Sequence, residues 1–297
     1  MMNPVTYIIV NIAIIAIIWT GGLQVNAGNL SQGEVIALVN YMSQILVELV
    51  KLANLIILLT KAAACSKRVG EVFAMAPSIV EHPTGVDLVP AEDKVVFDHV
   101  TFTYEGAKEP ALRDISFTAK KGQTIGVIGG TGCGKSTLVN LIPRFYEATE
   151  GSVFVDEVNV KSYSFHQLRD RIGIVPQKAV LFNGTIADNL RWGKEDATEE
   201  EMNRAIAIAQ AADVIASKKD GLEERILQGG KNLSGGQRQR LTIARALVKE
   251  PEILILDDSA SALDFATDAR LRKAIREETK GMTVFIVSQR ASTIRQA

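Results

Sequence analysis

The first fifty residues of this chain contain no lysine and no arginine, and their only acidic residues are Glu34 and Glu48. A stretch so poor in charge does not suit a soluble surface, but it suits the hydrocarbon core of a bilayer. The basic segment that opens a secretory signal peptide is also absent, and a second apolar segment follows, so a cleaved signal peptide is disfavoured. The sequence therefore predicts two membrane helices, at about residues 4–23 and 33–74.

Cysteine, histidine and excess basic charge are scarce as well. The two cysteines, Cys65 and Cys133, are too few for a framework of disulfides, so we expect free thiols. The three histidines are scattered without the spacing of metal ligands. Lysine and arginine total 33 against 34 acidic residues, so no nucleic acid partner is expected.

Basic residues give the orientation of the two predicted helices. Lys61, Lys67 and Arg68 follow the second apolar segment, whereas the stretch 21–33 between the segments has no basic residue. Basic residues accumulate on the cytoplasmic side of membrane helices, so the chain is predicted to be cytoplasmic from these lysines onward. This pattern predicts a multi-pass protein of the cell membrane, in contact with its lipids.

Prolines indicate where the membrane part ends. Three prolines fall between residues 76 and 93, a range that cannot continue as a helix and is interpreted as a linker. Residues 1–75 are therefore expected to form part of a transmembrane domain, and residues 94–297 a separate domain.

Two ionisable residues interrupt the second apolar segment. Glu48 and Lys51 are three positions apart and follow Gln44 by one helical turn, so they share one side of the helix. Ionisable groups at membrane depth usually face a cavity or pair with each other. Both interpretations stay open: a polar wall of a translocation pathway, or a self-satisfied ion pair.

A phosphate-binding loop follows a short apolar strand predicted at 124–129 and precedes a helix predicted at 135–145. The loop fits the pattern G-x-x-x-x-G-K-[ST] in the strand, loop and helix context that it requires. Its backbone N–H groups would hold phosphate oxygens of ATP, with Lys135 at the β- and γ-phosphates and Ser136 on Mg²⁺. The predicted nucleotide-binding residues are Gly129, Gly130, Thr131, Gly132, Cys133, Gly134, Lys135, Ser136 and Thr137.

An acidic strand end lies about 120 residues farther along the chain. The apolar run 253–256 ends in Asp257 and Asp258, and we expect this strand to lie directly beside the strand before the phosphate loop. Asp257 would then reach the shell of the Mg²⁺ ion.

A second anion-binding segment, Leu-Ser-Gly-Gly-Gln, precedes the acidic strand. Ser234 and the N–H groups of Gly235 and Gly236 are predicted to cap a helix, with Gln237 completing the segment. Such a helix end attracts anions, yet it has no lysine of its own. Within one chain it would have no phosphate to hold.

The order of phosphate loop, Leu-Ser-Gly-Gly-Gln segment and acidic strand resembles the nucleotide-binding domain of ABC transporters. With its apolar helices, the chain is similar to the C-terminal part of an ABC exporter half-transporter. The resemblance implies an α/β P-loop NTPase fold with a helical subdomain at about 180–247, preceded by two transmembrane α-helices of an exporter bundle. It implies ATP hydrolysis coupled to export, with drugs, lipids and peptides all open as substrates.

The resemblance also implies roles for residues outside the phosphate loop. Tyr104 matches the aromatic residue that stacks on adenine, and Gln177 matches the glutamine that touches Mg²⁺ and senses the membrane part. Asp257 matches the acid of the metal site, and Asp258 occupies the position of the general base. Asp264 ends the stretch that matches the D-loop. In this family two domains pair head to tail, and each Leu-Ser-Gly-Gly-Gln segment closes over the ATP of the other.

Three residues depart from the family pattern. Asp258 stands where a glutamate is usual, which draws the carboxylate back by about 1 Å from the attacking water. Gln289 stands where a histidine is usual, and an amide cannot carry a positive charge or exchange a proton near neutral pH. Gln228 stands where exporters often have a glutamate.

These departures lead to a hypothesis about the two subunits that pair in the transporter. The site with Lys135, Gln177, Asp258 and Gln289 as its catalytic residues would bind Mg-ATP but hydrolyse it poorly, and the chain would serve a competent site in a heterodimer. A homodimer that tolerates both residues is the simpler alternative. A nucleotide-gated regulatory subunit without useful turnover is another, and a soluble DNA-repair ATPase is disfavoured by the apolar helices and balanced charge.

Completeness is a further departure from the family pattern. Exporter halves have six membrane helices where two are predicted here, and the sequence ends soon after Gln289. We therefore expect a fragment of a longer protein with a C-terminally incomplete nucleotide-binding domain.

Overall fold

The structure is a computed structural model that describes residues 4–81, 86, 91–259 and 261–289. The chain folds as two compact units that divide between Ser78 and Ile79. The predicted linker falls partly outside the described residues.

The first unit is a helical hairpin of α1 (Pro4–Asn26) and α2 (Gln32–Phe73). Both helices are long and apolar enough to cross a membrane by length and composition. Helix α1 continues beyond its predicted end because Gly21 serves close helix packing there rather than a turn. A Cβ atom at Gly21 would lie 2.7 Å from Cγ1 of Val35. Ser31 begins α2 through a capping box with Glu34.

The described part of the second unit combines two four-stranded sheets, a two-stranded antiparallel ribbon and a set of helices. The strands are β1 Asp93–Phe102, β2 Leu112–Lys120, β3 Thr124–Ile128, β4 Glu150–Val155, β5 Val158–Asn159, β6 Ile172–Val175, β7 Gly184–Thr185, β8 Arg225–Ile226, β9 Ile253–Asp257 and β10 Thr283–Ser288. The helices are α3 Lys135–Leu141, α4 Phe165–Asp170, α5 Ile186–Arg191, α6 Glu199–Ile208, α7 Ala212–Ala216, α8 Gly235–Leu247 and α9 Phe265–Glu278, with short 3₁₀ turns at Val160–Ser162, Gly221–Glu223 and Gln228–Gly230.

One sheet is antiparallel, in the order β2-β1-β4-β5, and the other is parallel, in the order β3-β10-β9-β6. Strand β10 therefore lies between β3 and β9, and the expectation that the acidic strand lies directly beside the strand before the phosphate loop was wrong. The first turn of α3 still reaches the acidic strand because α3 packs against both β9 and β10.

The parallel sheet separates two hydrophobic cores. Alternate side chains of a strand point to opposite faces, so β9 sends Ile253 and Ile255 to one core and Leu254 and Leu256 to the other. The first core also holds the inner face of the antiparallel sheet and helix α3, and the second holds helices α5, α6 and α8. Burial on both faces explains the continuous apolar run of this strand.

Helix α3 ends four residues before the predicted end of the helix that follows the phosphate loop. Ile142 forms its C-cap, and Pro143 follows. Proline has no backbone N–H to continue the helix hydrogen bonds, so Pro143 accounts for the earlier end although Ile142 keeps helical φ and ψ.

Candidate functional site

The four parallel strands bring the predicted site residues together at their carboxyl ends. The phosphate loop follows β3, Gln289 follows β10, Asp257 ends β9 and Gln177 lies two residues after β6. Ligands bind at this edge in open parallel sheets because loops and helix N-termini converge there. The topology thus explains why residues far apart in the sequence form one site.

The phosphate loop depends on glycine at its last position. Gly134 is the N-cap of α3 with φ of 86°, and a Cβ atom there would lie 2.7 Å from the carbonyl oxygen of Ala111. Only glycine combines this left-handed backbone with so close a contact. The Lys135 ammonium donates to the carbonyl oxygens of Gly129 and Gly130 at 2.9 and 2.6 Å, which holds it over the loop.

The middle of the loop is open enough for phosphate oxygens. A Cβ atom at Gly130 or Gly132 would meet no atom within 4 Å, and Gly132 has φ of 81°. Thr131 and Cys133 are exposed beside them. Open glycine positions with a neighbouring ammonium group fit the predicted binding of ATP phosphates.

A pair of oxygen ligands suited to Mg²⁺ lies at the start of α3. The Ser136 hydroxyl donates to Oδ1 of Asp257 at 3.0 Å. Burial raises the pKa of the Asp257 carboxyl, and the hydrogen bond from Ser136 opposes that shift. Hydroxyl and carboxylate oxygens are the ligands that Mg²⁺ prefers, so both residues fit the predicted metal site.

Gln177 and Asp258 meet on the same edge of the sheet. Nε2 of Gln177 lies 3.5 Å from Oδ2 of Asp258, a long contact between the two predicted catalytic side chains. The backbone of Asp258 is left-handed, with φ of 46°, and its N–H donates to the carbonyl oxygen of Val287 at 2.9 Å. Aspartate adopts this conformation more readily than most residues, so the local backbone suits Asp258.

Gln289 is exposed and directly follows Ser288, the last residue of β10. Ser288 pairs with Ile128, the last residue before the phosphate loop. The register between β10 and β3 therefore sets Gln289 beside the phosphate loop. This is the position predicted for the residue that contacts the γ-phosphate.

Tyr104 lies beside the phosphate loop in an aromatic cluster. Its hydroxyl hydrogen bonds with Oγ1 of Thr137 at 2.7 Å, and its ring meets Phe102 and Tyr146 edge to face at 4.8 and 5.4 Å. These contacts fix the ring next to helix α3. No sequence pattern predicts the hydrogen bond between Tyr104 and Thr137. Stacking of Tyr104 on adenine stays a prediction.

The Leu-Ser-Gly-Gly-Gln segment has the predicted capping geometry. Ser234 Oγ accepts from the Gln237 N–H at 3.2 Å, and Gln237 Oε1 accepts from the Ser234 N–H at 2.9 Å, which closes a capping box on α8. Ser234 and Gly235 are exposed. Among the described residues no hydrogen bond or ion pair joins this segment to the phosphate loop.

The predicted D-loop contacts the Leu-Ser-Gly-Gly-Gln segment and begins α9. A Cβ atom at Gly236 would lie 3.2 Å from the carbonyl oxygen of Ala262, so the small residue permits this close approach. Asp264 caps α9, accepting from the N–H and hydroxyl of Thr267 at 2.9 Å each, and these bonds lower the pKa of its carboxyl. Ala260 of this stretch lies outside the described residues.

We predict that a bulky maleimide on Cys133 blocks ATP binding and that ATP protects the thiol. Cys133 is exposed in the loop, with Sγ 3.6 Å from the Lys135 ammonium, so an added group would fill the phosphate cradle. Nucleotide binding after labelling measures the effect in a Cys65→Ser background. Cys133→Ser should be resistant, and full ATP binding by the alkylated protein would refute the prediction.

Comparisons with known proteins identify the family of this chain. The family profile described as ABC transporter matches residues 112–261, a span with the phosphate loop, Gln177, the Leu-Ser-Gly-Gly-Gln segment and Asp258. Tyr104, Asp264 and Gln289 lie outside that span.

Several curated proteins and a solved structure are similar along nearly the whole chain. An uncharacterized ABC transporter ATP-binding protein of Mycobacterium tuberculosis is 42% identical over 306 positions, covering 100% of this chain and 51% of the relative. The beta-(1→2)glucan export ATP-binding/permease protein NdvA of Rhodopseudomonas palustris is 39% identical over 297 positions, covering 100% of this chain and 49% of NdvA. A bacterial Atm1-family ABC exporter with ATP bound has a TM-score of 0.79 at 30% identity, covering 98% of this chain and 51% of that structure. The chain spans about half the length of the curated relatives it matches.

Proposed function

We propose a function from one premise: this chain belongs to the ABC transporter family. In this proposal it is part of the ATP-binding/permease subunit of an exporter in the cell membrane. Residues 1–75 contribute two helices to the membrane domain, and residues 94–297 are the nucleotide-binding domain on the cytoplasmic side. ATP binding and hydrolysis between two such domains would drive the alternation that moves substrate outward.

One observation carries the proposal. Ser136, Asp257, Asp258 and Gln177 converge at the carboxyl edge of one parallel sheet, with Ser136 bonded to Asp257 at 3.0 Å and Gln177 next to Asp258 at 3.5 Å. Oxygen ligands beside an open glycine loop and a lysine are what phosphoryl transfer needs, since its catalysis is mainly positioning and electrostatics.

Each residue has a defined task in this proposal. The N–H groups of the loop and Lys135 bind the phosphates, and Ser136 and Asp257 would hold Mg²⁺, which would neutralise charge on the phosphates. Asp258 orients and deprotonates the attacking water, and Gln177 would join Ser136 and Asp257 at the Mg²⁺ ion. Gln289 donates a hydrogen bond toward the γ-phosphate without a positive charge.

The exposed cap of α8 is proposed to act on a second subunit. Ser234 and Gly235 present the N-terminus of α8 at the surface, where the helix dipole attracts the phosphate charge of a bound nucleotide. The segment is complete in this chain, so it would close a site whose phosphate loop belongs to the partner.

We further propose that the partner is a different half-transporter and that this chain's own site turns over slowly. Asp258 is shorter than glutamate by one methylene, and a misplacement of about 1 Å can reduce a rate by about 10²-fold. Gln289 removes the titratable group near the γ-phosphate. A homodimer would combine two weakened sites, whereas a heterodimer would leave one competent site.

Steady-state ATPase activity in membranes tests this proposal. The full-length protein is measured alone and with its candidate partner half, with the phosphate-loop lysine of either subunit replaced in turn. We expect activity only with the partner, and a smaller loss from Lys135→Ala than from the equivalent partner variant. Full activity of the protein alone would contradict the heterodimer. ATP binding without turnover in any combination would favour the nucleotide-gated regulatory subunit.

A further inference from the structure

We propose that one side of α2 forms a water-exposed wall of the substrate pathway and takes net-neutral solutes rich in hydroxyl or amide groups. The inference rests on the proposed function, in which α1 and α2 cross the membrane. The surface is called the polar stripe, and its residues are Asn40, Gln44, Glu48, Lys51 and Asn54.

The polar stripe gathers nearly all the polarity of the apolar part of α2. Between residues 35 and 59, Ser43 and Tyr41 are the only other side chains with a polar group. At 3.6 residues per turn the five stripe residues fall within an arc of about 120°, and they extend about 21 Å along the helix. The hydrocarbon core is about 30 Å thick, so the stripe would cross most of it. The Ser43 hydroxyl donates to Val39 O at 2.9 Å and needs no partner outside the helix.

Helix α1 covers a different side of α2. Apart from Ala37, the partly covered apolar residues of α2 recur every three or four positions, as expected for a packing seam against α1. These residues are Val35, Val39, Met42, Leu46 and Val50. All five stripe residues are exposed, with the Glu48 and Lys51 side chains at 67% and 66%. The hairpin therefore leaves the stripe open.

An ion pair alone does not account for the polar stripe. Lys51 donates to Oε1 of Glu48 at 2.6 Å, so these two charges cancel. The amides of Asn40, Gln44 and Asn54 make no side-chain hydrogen bond within the described residues. Lipid offers them no donor or acceptor, so an amide at membrane depth needs water, a polar ligand or a polar group of another membrane helix, and the labelling below distinguishes these.

The chemistry of the stripe defines the solute. Three amides supply donors and acceptors, and the paired Glu48 and Lys51 leave no net charge to attract an ion. Such a surface recognises uncharged groups that both donate and accept hydrogen bonds, as hydroxyls and amides do. An apolar cation would gain nothing from it.

Cysteine accessibility tests the wall without knowledge of the natural substrate. In the full-length transporter with Cys65→Ser and Cys133→Ser, single cysteines replace Asn40, Gln44 or Asn54. A charged methanethiosulfonate reagent reacts with thiolates in water, so we expect labelling about tenfold faster than at control positions. The controls, at similar depth and also exposed but on another side of α2, are Ile45→Cys, Leu49→Cys and Leu52→Cys.

Equal rates at stripe and control positions would overturn the proposal, as would labelling confined to the controls. Repeating the labelling with ATP and vanadate separates this inference from the proposed function. Rates that change only at the stripe support both. Fast stripe labelling that ignores nucleotide supports the water-exposed wall and counts against an ATP-driven exporter.

Protection by added solutes tests the substrate class. A neutral oligosaccharide, a neutral hydrophilic peptide and the apolar cation tetraphenylphosphonium are each added at millimolar concentration during labelling of Asn40→Cys. Slower labelling with the oligosaccharide or the peptide supports the assignment. Protection by tetraphenylphosphonium alone, or by none of the three, would overturn it.

Discussion

The double variant Asp258→Glu and Gln289→His is expected to hydrolyse ATP at this site about 10²-fold faster than the unmodified chain, the low end of what a positioned acid or base contributes. The longer side chain brings a carboxylate within hydrogen-bond reach of the attacking water. The histidine restores a group that can carry charge near neutral pH. Single-turnover hydrolysis in the assembled transporter, with the partner's phosphate-loop lysine replaced, isolates this site.

The local backbone sets a limit on the first substitution. Asp258 has φ of 46°, which aspartate tolerates better than glutamate, so Asp258→Glu alone introduces some strain. Nucleotide affinity, measured separately, shows whether the loop still binds. Adding Lys135→Ala to the double variant should abolish the gain. An unchanged rate with intact binding would mean that Asp258 and Gln289 already suffice, and the slow-site hypothesis would fall.

Local motifs could be predicted from the sequence where chemistry fixes both residue type and spacing. The phosphate loop needs glycine at position 134 because of its left-handed backbone, and Ser234 caps α8 through Gln237 as predicted. The order of the strands in the parallel sheet was harder to predict. Strand β10 lies between β3 and β9, and no local sequence pattern indicates which strands will be neighbours. The pairing of strands that are far apart in the sequence depends on how the whole hydrophobic core packs.

A buried charged cluster could not be predicted from the sequence, because it breaks the alternation of buried and exposed side chains along a strand. Lys94 and Val95 are adjacent in β1, yet both are buried, at 2% and 0% exposure. A register shift between Asp93 and Val95 makes this possible, because a bulge turns two neighbouring side chains toward the same side. Strict alternation would have predicted Lys94 to face solvent.

The cluster joins the two sheets of the second unit. The Lys94 ammonium donates to both carboxylate oxygens of Asp156, at 2.8 and 2.7 Å, and also to Glu252. Arg171 reaches the same Asp156 carboxylate at 2.8 Å. Asp156 follows β4 in the antiparallel sheet, whereas Arg171 and Glu252 directly precede β6 and β9 of the parallel sheet. Burial raises the pKa of the neighbouring Tyr163 to about 12, so that residue stays neutral.

Replacing Lys94 with methionine is expected to destabilise the second unit by about 3–5 kcal/mol, because the Asp156 carboxylate would stay buried with one cation fewer. At about 2–4 °C per kcal/mol, the melting temperature should fall by about 6–20 °C. Tryptophan fluorescence of the detergent-solubilised full-length protein measures the transition.

A surface ion pair provides the matched control for Lys94→Met. Arg113 and Glu109 lie 3.1 Å apart and are mostly exposed, so Arg113→Met should cost about 0–1 kcal/mol. Lys94→Arg, which keeps the charge, should melt closer to the unmodified protein than Lys94→Met does. Equal melting temperatures for Lys94→Met and Arg113→Met would contradict the prediction. They would mean that the buried ion pairs of Lys94 stabilise the second unit no more than an exposed ion pair does. A large fall in melting temperature for Lys94→Met alone would support the prediction. It would mean that the buried Asp156 carboxylate needs the Lys94 cation where the antiparallel sheet packs on the parallel sheet.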